Sequence, residues 1–229
     1  MQSNLTELRI RLDQMTEQIV SGMKNRSRFP LNEGVFTKEF FGKKTWFMYR
    51  LKAEQDIDSE FGRFLYSDQH PIIFDKKDLT KPIISREVPK TNLKQINIDH
   101  SEEIIRAYRE ALNEICVHAE SEAHYGEVAK MDVDNVLLFN ERILGAGEFV
   151  AQYKLASGLK VDSPLDREKI RKQIINLQRE EEVVKAAIEL AKRYGIKQFG
   201  TIGAFMRKII SITTEVEIDY IISALKIKN

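Results

Sequence analysis

Arg9, Arg142 and Lys154 supply three cations, Glu180 and Glu217 two carboxylates, and Asn176 and Thr213 two small polar groups, at helical positions that a packed bundle would rather fill with leucine. Arg9 directly follows Leu8, Arg142 and Lys154 bracket the apolar run "ILGAGEFVAQY", and the pairs Asn176/Glu180 and Thr213/Glu217 are each spaced by one helical turn. Taken singly, each fits a solvated helix residue or half of an i, i+4 pair. Taken together they are the inventory for gripping a small polyanion inside a bundle. Glu217 raises the sharpest question. At about 100° per residue it shares a row with Ile210, Thr213, Ile221 and Ala224, and that row should face a core. A carboxyl buried there beside an anion should hold its proton and act as a hydrogen-bond donor.

These residues need long helices to carry them, and the hydrophobic periodicity provides them. Leu5, Leu8, Leu12, Met15, Ile19 and Met23 form one stripe behind the cap candidates Ser3 and Asn4. A second helical pattern runs from about Thr45 to Leu65, and Pro71, Pro82 and Pro89 make the next stretch a connection. Helix resumes with Asp99 or Ser101 as cap and Glu102 and Glu103 in the first turn, where the helix dipole favours negative charge. A long helix is expected from about Met131 to Ala156. Another should begin at Asp162-Ser163-Pro164 and run to Tyr194-Gly195, and a last one should cover about Thr201 to Ile227. Strand-like alternation is scarce. The expected class is all-α, an elongated bundle of long helices with short connecting helices, in one domain over residues 1–229.

The composition narrows the function classes. Lys plus Arg (36) nearly balances Asp plus Glu (35), so no global field draws in nucleic acid or an anionic membrane. No window approaches the roughly 18 apolar residues of a membrane span. The lone Cys116 cannot form an internal disulfide, and the N-terminus has no secretory-type leader, so a cytoplasmic protein is expected. His70, His100, His118 and His124 lack metal-ligand spacing, and Gly145/Gly147 lack the strand and full glycine pattern of a dinucleotide site. No metal or cofactor is expected.

The ordered set of spacings resembles the all-helical chorismate mutases, in particular the longer, yeast-like eukaryotic type. "LRIRLDQMTEQIVSGMKNRSRF" is similar to that type's first helix, with Arg9 at the carboxylate-binding arginine. "YGEVAKMDVDNVLLFNERILGAGEFVAQYKLA" resembles its central helix and puts Arg142 and Lys154 on the second arginine and the lysine. "NLQREEEVVKAAIELAKRYGI" aligns Asn176 and Glu180, and "ISITTEVEIDYI" aligns Thr213 and Glu217. The resemblance reaches both ends of the chain and is weakest between residues 30 and 100. One departure stands out. Arg142 and Lys154 are twelve residues apart, one more than in the family, and on a regular helix that extra step turns them about 120° apart. A one-residue π-bulge near Gly145-Ala146-Gly147 would restore a common face.

The resemblance implies rearrangement of chorismate to prephenate, with Arg9 and Arg142 on the two carboxylates and Lys154 and a protonated Glu217 on the ether oxygen. Glu180 would accept from the ring hydroxyl, Asn176 and Thr213 would orient a carboxylate, and Arg179, beside Glu180, is a further substrate-binding candidate. Arg26 is read as structural. It also implies a homodimer with a small-molecule substrate and no nucleic-acid or membrane partner. Yeast-like members bind tyrosine and tryptophan at a dimer-interface site built from adjacent arginines and a Gly-Ser pair. Here only Arg63 and Gly126 match, and Glu127 stands where the serine would be, so regulated and unregulated readings both stay open. Two other readings also stay open, a non-catalytic helical regulator that binds a pathway metabolite or partner, and a lyase acting on isochorismate through a similar pocket.

Overall fold

The computed structural model describes residues 5–226 apart from 86, 89, 90, 92, 95 and 162–165; the expected caps Ser3 and Asn4, Pro89, the expected start at Asp162-Ser163-Pro164, and the end at Ile227 lie outside the described residues. The fold is all-α. Among the described residues the helices are α1 (Leu5–Arg26), α2 (Gly34–Thr37), α3 (Trp46–Glu60), α4 (Ser101–Ile115), α5 (Tyr125–Asn140), α6 (Ala146–Ala156), α7 (Arg167–Ile174), α8 (Leu177–Arg193) and α9 (Phe199–Lys226). A short hairpin, β1 (Glu39–Phe41) with β2 (Lys44–Thr45), is the one strand pairing among them.

Local chemistry sets the boundaries. Thr45 caps α3 by accepting from the Met48 amide, and the chain leaves that helix through Gly62 in the left-handed region, φ 74°, followed by a 3₁₀ turn at Arg63–Leu65. Asp99 accepts from the Ser101 amide at the start of α4. The connection after α3 is pinned by a buried glutamine: Gln55 donates to the Ile72 carbonyl (3.1 Å) and accepts from the Ile72 amide (2.7 Å).

Three boundaries differ from expectation. Helix α3 stops at Glu60, short of Leu65, because the chain turns through left-handed Gly62. The central helix starts at Tyr125, upstream of Met131, because Tyr125 is itself a buried anchor that donates to Glu120. The helix expected to run on to Tyr194 is broken at Ile175-Asn176, giving α7 and α8, because Asn176 adopts a non-helical backbone and its Oδ1 accepts from the Arg179 amide.

Helix α9 is the hub, packing on α4, α6, α7 and α8, while α1 lies on α5 and α8. The larger apolar core is drawn from α1, α3, α4, α5, α8 and α9, including Ile19, Met23, Leu51, Tyr108, Phe139 and Ile212. A smaller one gathers Ala151, Ile170, Ile174, Ile218, Ile221 and Ala224 at the far end of α9. Arg26 is fully buried at the end of α1, donating to Asp132 (2.7 Å) and to the carbonyls of Pro30 and Leu31, the structural role expected of it.

Candidate active site

Between α1, α6, α8 and α9 lies a cavity of about 380 Å³, and Arg9, Arg142, Lys154, Asn176, Arg179, Glu180, Thr213 and Glu217 all line it. Its apolar wall comes from Leu8, Leu12, Val150, Ile174, Val183 and Ile210. The volume is that of a small-molecule site.

Arg142 and Lys154 reach this cavity together because the helix carrying them is not regular. Residues Glu141–Gly145 form a π turn, in which the Ala146 amide reaches back to the Glu141 carbonyl. The added residue is absorbed there and the two cations regain a common face. The expected bulge therefore exists, but it lies nearer the N-terminus than Gly145-Ala146-Gly147 and includes Arg142 itself. Gly147 has a different job in regular helix: a Cβ there would lie 2.9 Å from Cγ1 of Val216, so its absence lets α6 approach α9.

The Arg142 side chain is buried, 5% exposed, and among the described residues it makes no hydrogen bond or ion pair; its Nε is a buried donor with no acceptor. Burial lowers its pKa to about 10, against the pull of Asp13 and Glu217. Arg9, more exposed at the cavity edge, also has no ion-pair partner among the described residues. These are two cations lining one cavity with no ion pair among the described residues.

Glu217, on α9, is buried, and burial raises its pKa above its ordinary value; Lys154 and Arg142 oppose the rise and Glu180 adds to it. Lys154 donates to Glu217 Oε2 and to the Ile174 carbonyl at the end of α7 (2.9 Å). The row read from sequence holds: Thr213 and Glu217 line the cavity while Ile221 and Ala224 enter the smaller core. Thr213 spends its proton on the Ile209 carbonyl (2.9 Å), so toward the cavity it offers an acceptor. Asn176 spends its Oδ1 on the α8 cap. Glu180 makes no side-chain hydrogen bond among the described residues.

Arg179 bridges to Asp13 on α1 (2.7 and 3.0 Å) and to Glu182. Asp13 was not singled out in the sequence, although its position one turn after Arg9 was the available signal. Gln173, Tyr153 and Thr214 also line the cavity without having been anticipated. The two effector candidates do not meet within one chain. Arg63 pairs with Asp58 and with Glu141, just past the C-terminal end of α5, while Gly126 is in the first turn of that helix, roughly 22 Å away by helical rise.

No protein-family model matches the chain, and no curated protein matches it. Solved structures do. The Aro7p chorismate mutase of Candida albicans, in complex with L-Trp, is 25% identical and superposes with a TM-score of 0.84 over 97% of this chain and 92% of that one. The chloroplast chorismate mutase of Zea mays is 21% identical, with a TM-score of 0.83 over 97% and 96% of the two chains. AtCM1 with tyrosine in its allosteric site is also 21% identical, at 0.84 over the same shares. By its fold this chain stands with the all-helical chorismate mutases of the longer, eukaryotic type.

Proposed function

We propose that the protein is a chorismate mutase, converting chorismate to prephenate in the route to tyrosine and phenylalanine. The observation that carries this reading is the buried Arg142, without a partner among the described residues, lining one cavity with Arg9, Lys154 and Glu217. A dianionic substrate supplies the missing counter-charge.

The reaction is an intramolecular rearrangement. The ether C–O bond breaks as a C–C bond forms between the enolpyruvyl arm and the ring, and no group of the protein is consumed. Catalysis then consists of holding the arm folded over the ring and stabilising the charge that develops on the ether oxygen. Arg9 and Arg142 suit the two carboxylates, since each guanidinium fork can meet a carboxylate bidentately. Lys154 would donate to the ether oxygen. Glu217, with its raised pKa, would donate from the same wall once the substrate's own charge has favoured its protonated form. Glu180 would accept from the ring hydroxyl, Asn176 would use its amide Nδ2, and Arg179 could move from Asp13 to a substrate carboxylate.

Following the ultraviolet absorbance of chorismate and identifying the product tests the proposal. Prephenate is the expected product. Binding without turnover would favour a regulator, and release of pyruvate from isochorismate would favour a lyase. We further propose a cytoplasmic homodimer, for which sedimentation at equilibrium would return twice the chain mass.

A further inference from the structure

Opposite the cavity, the same π turn is gripped by the chain that follows α3, and four contacts join them. Arg63 Nη2 donates to Glu141 Oε2 (3.2 Å). The Asp68 carbonyl lies 2.9 Å from where a Cβ on Gly145 would sit. Asn140 Nδ2 donates to the His70 carbonyl (2.8 Å), and the His70 ring nitrogen Nε2 meets Glu148 Oε2 (2.9 Å). The four helix residues, Asn140, Glu141, Gly145 and Glu148, start just before the π turn and end just after it. Arg11 of α1 adds a second cation to Glu141 (2.6 Å).

We propose that the segment Arg63–His70 is a brace that holds the π turn and thereby keeps Arg142 in register with Lys154. Two forces make a brace necessary. A π turn is a rare interruption of the i→i−4 ladder, and the segment regains that ladder by reverting to regular helix. A buried guanidinium without a hydrogen-bond partner gains by rotating toward water. Both relaxations would turn Arg142 away from Lys154. The contacts oppose them from behind: Glu148 is a glutamate only 1% exposed, and its partner His70 is on the brace. Removing the glycine hydrogen's space at 145 would push Asp68 away and loosen the same grip. Arg63, His70, Glu141 and Glu148 are on this view positioning residues, which act through Arg142 and touch no substrate.

The catalytic part of this inference rests on the chorismate reading, so the test has two readouts. Hydrogen exchange of residues 140–150 in the ligand-free protein should quicken about tenfold in Glu141→Ala and in Gly145→Ala, while exchange in α8 stays as in the wild type. Glu141 is only partly buried, its side chain 26% exposed, so its variant should keep the fold even if Gly145→Ala does not. With chorismate, KM should rise about tenfold with kcat changed less than about threefold, and neither change should raise KM further in an Arg142→Ala background. Unchanged exchange in the folded variants, or a KM effect that persists without Arg142, would overturn the brace. Quickened exchange in a protein whose wild type leaves chorismate unconverted would remove the substrate reading and leave the brace standing.

Discussion

Arg142 has its pKa lowered to about 10 because burial has taken its water and no hydrogen bond among the described residues replaces it. A bidentate carboxylate repays that cost, and an ammonium in its place could not reproduce the fork. Arg142→Lys is therefore expected to raise KM for chorismate by at least about tenfold, measured by steady-state kinetics, with a smaller change in kcat. Lys154 acts on the breaking bond, so Lys154→Ala should lower kcat on the order of 10²–10³, and a near-normal turnover number would remove it from the mechanism. Glu217 sets the pH dependence. Its pKa is raised, so the donor form is populated below that value and lost as pH rises through it. Activity should decline with rising pH in the wild type, and Glu217→Gln, which keeps a donor at every pH, should flatten the profile; an unchanged profile would refute the role.

At the scale of elements, two irregularities place the site, and they were unequally legible. The π turn could be argued from spacing, because Arg142 and Lys154 share a face at a separation of twelve only if the helix absorbs a residue. Its location could not, since that depends on contacts of Glu141 with Arg63 and of Gly145 with Asp68, 78 and 77 residues away in the chain, which local spacing does not reveal. The break before α8 was missed although its signal was present. Asn176 was read as a ligand on a continuous helix, whereas asparagine competes for backbone amides and favours caps. The two roles can be separated. Asn176→Asp keeps a capping oxygen, so thermal stability should stay within a few tenths of a kcal/mol. It also removes an amide donor and adds a negative charge beside a dianion, so KM should rise. Asn176→Ala should instead lose about 1 kcal/mol of stability, read by urea denaturation.

For the whole molecule, the helical class and the stripe of α1 followed from apolar spacing, since Leu8, Met15, Ile19 and Met23 are all buried. Pairings across the chain were beyond reach. Arg26 was assigned a structural role, but nothing local identifies Asp132, 106 residues on, as its partner. That pair lets the larger core be tested apart from the site. Asp132 also accepts from Tyr108, and Arg26 holds the turn after α1 through the Pro30 and Leu31 carbonyls. Arg26→Met strands a buried carboxylate and two carbonyls, and should cost roughly 3–5 kcal/mol by urea denaturation. Kinetics of the folded fraction should be unchanged, because neither Arg26 nor Asp132 lines the cavity. Adding Asp132→Leu removes the stranded charge but leaves both carbonyls without their donor and the buried Tyr108 hydroxyl without its acceptor, so the double variant should recover only in part and stay about 1–3 kcal/mol below wild type. Full recovery would mean that neither the turn after α1 nor the Tyr108 hydroxyl needs a polar partner there, and that Arg26 is there to balance Asp132 alone.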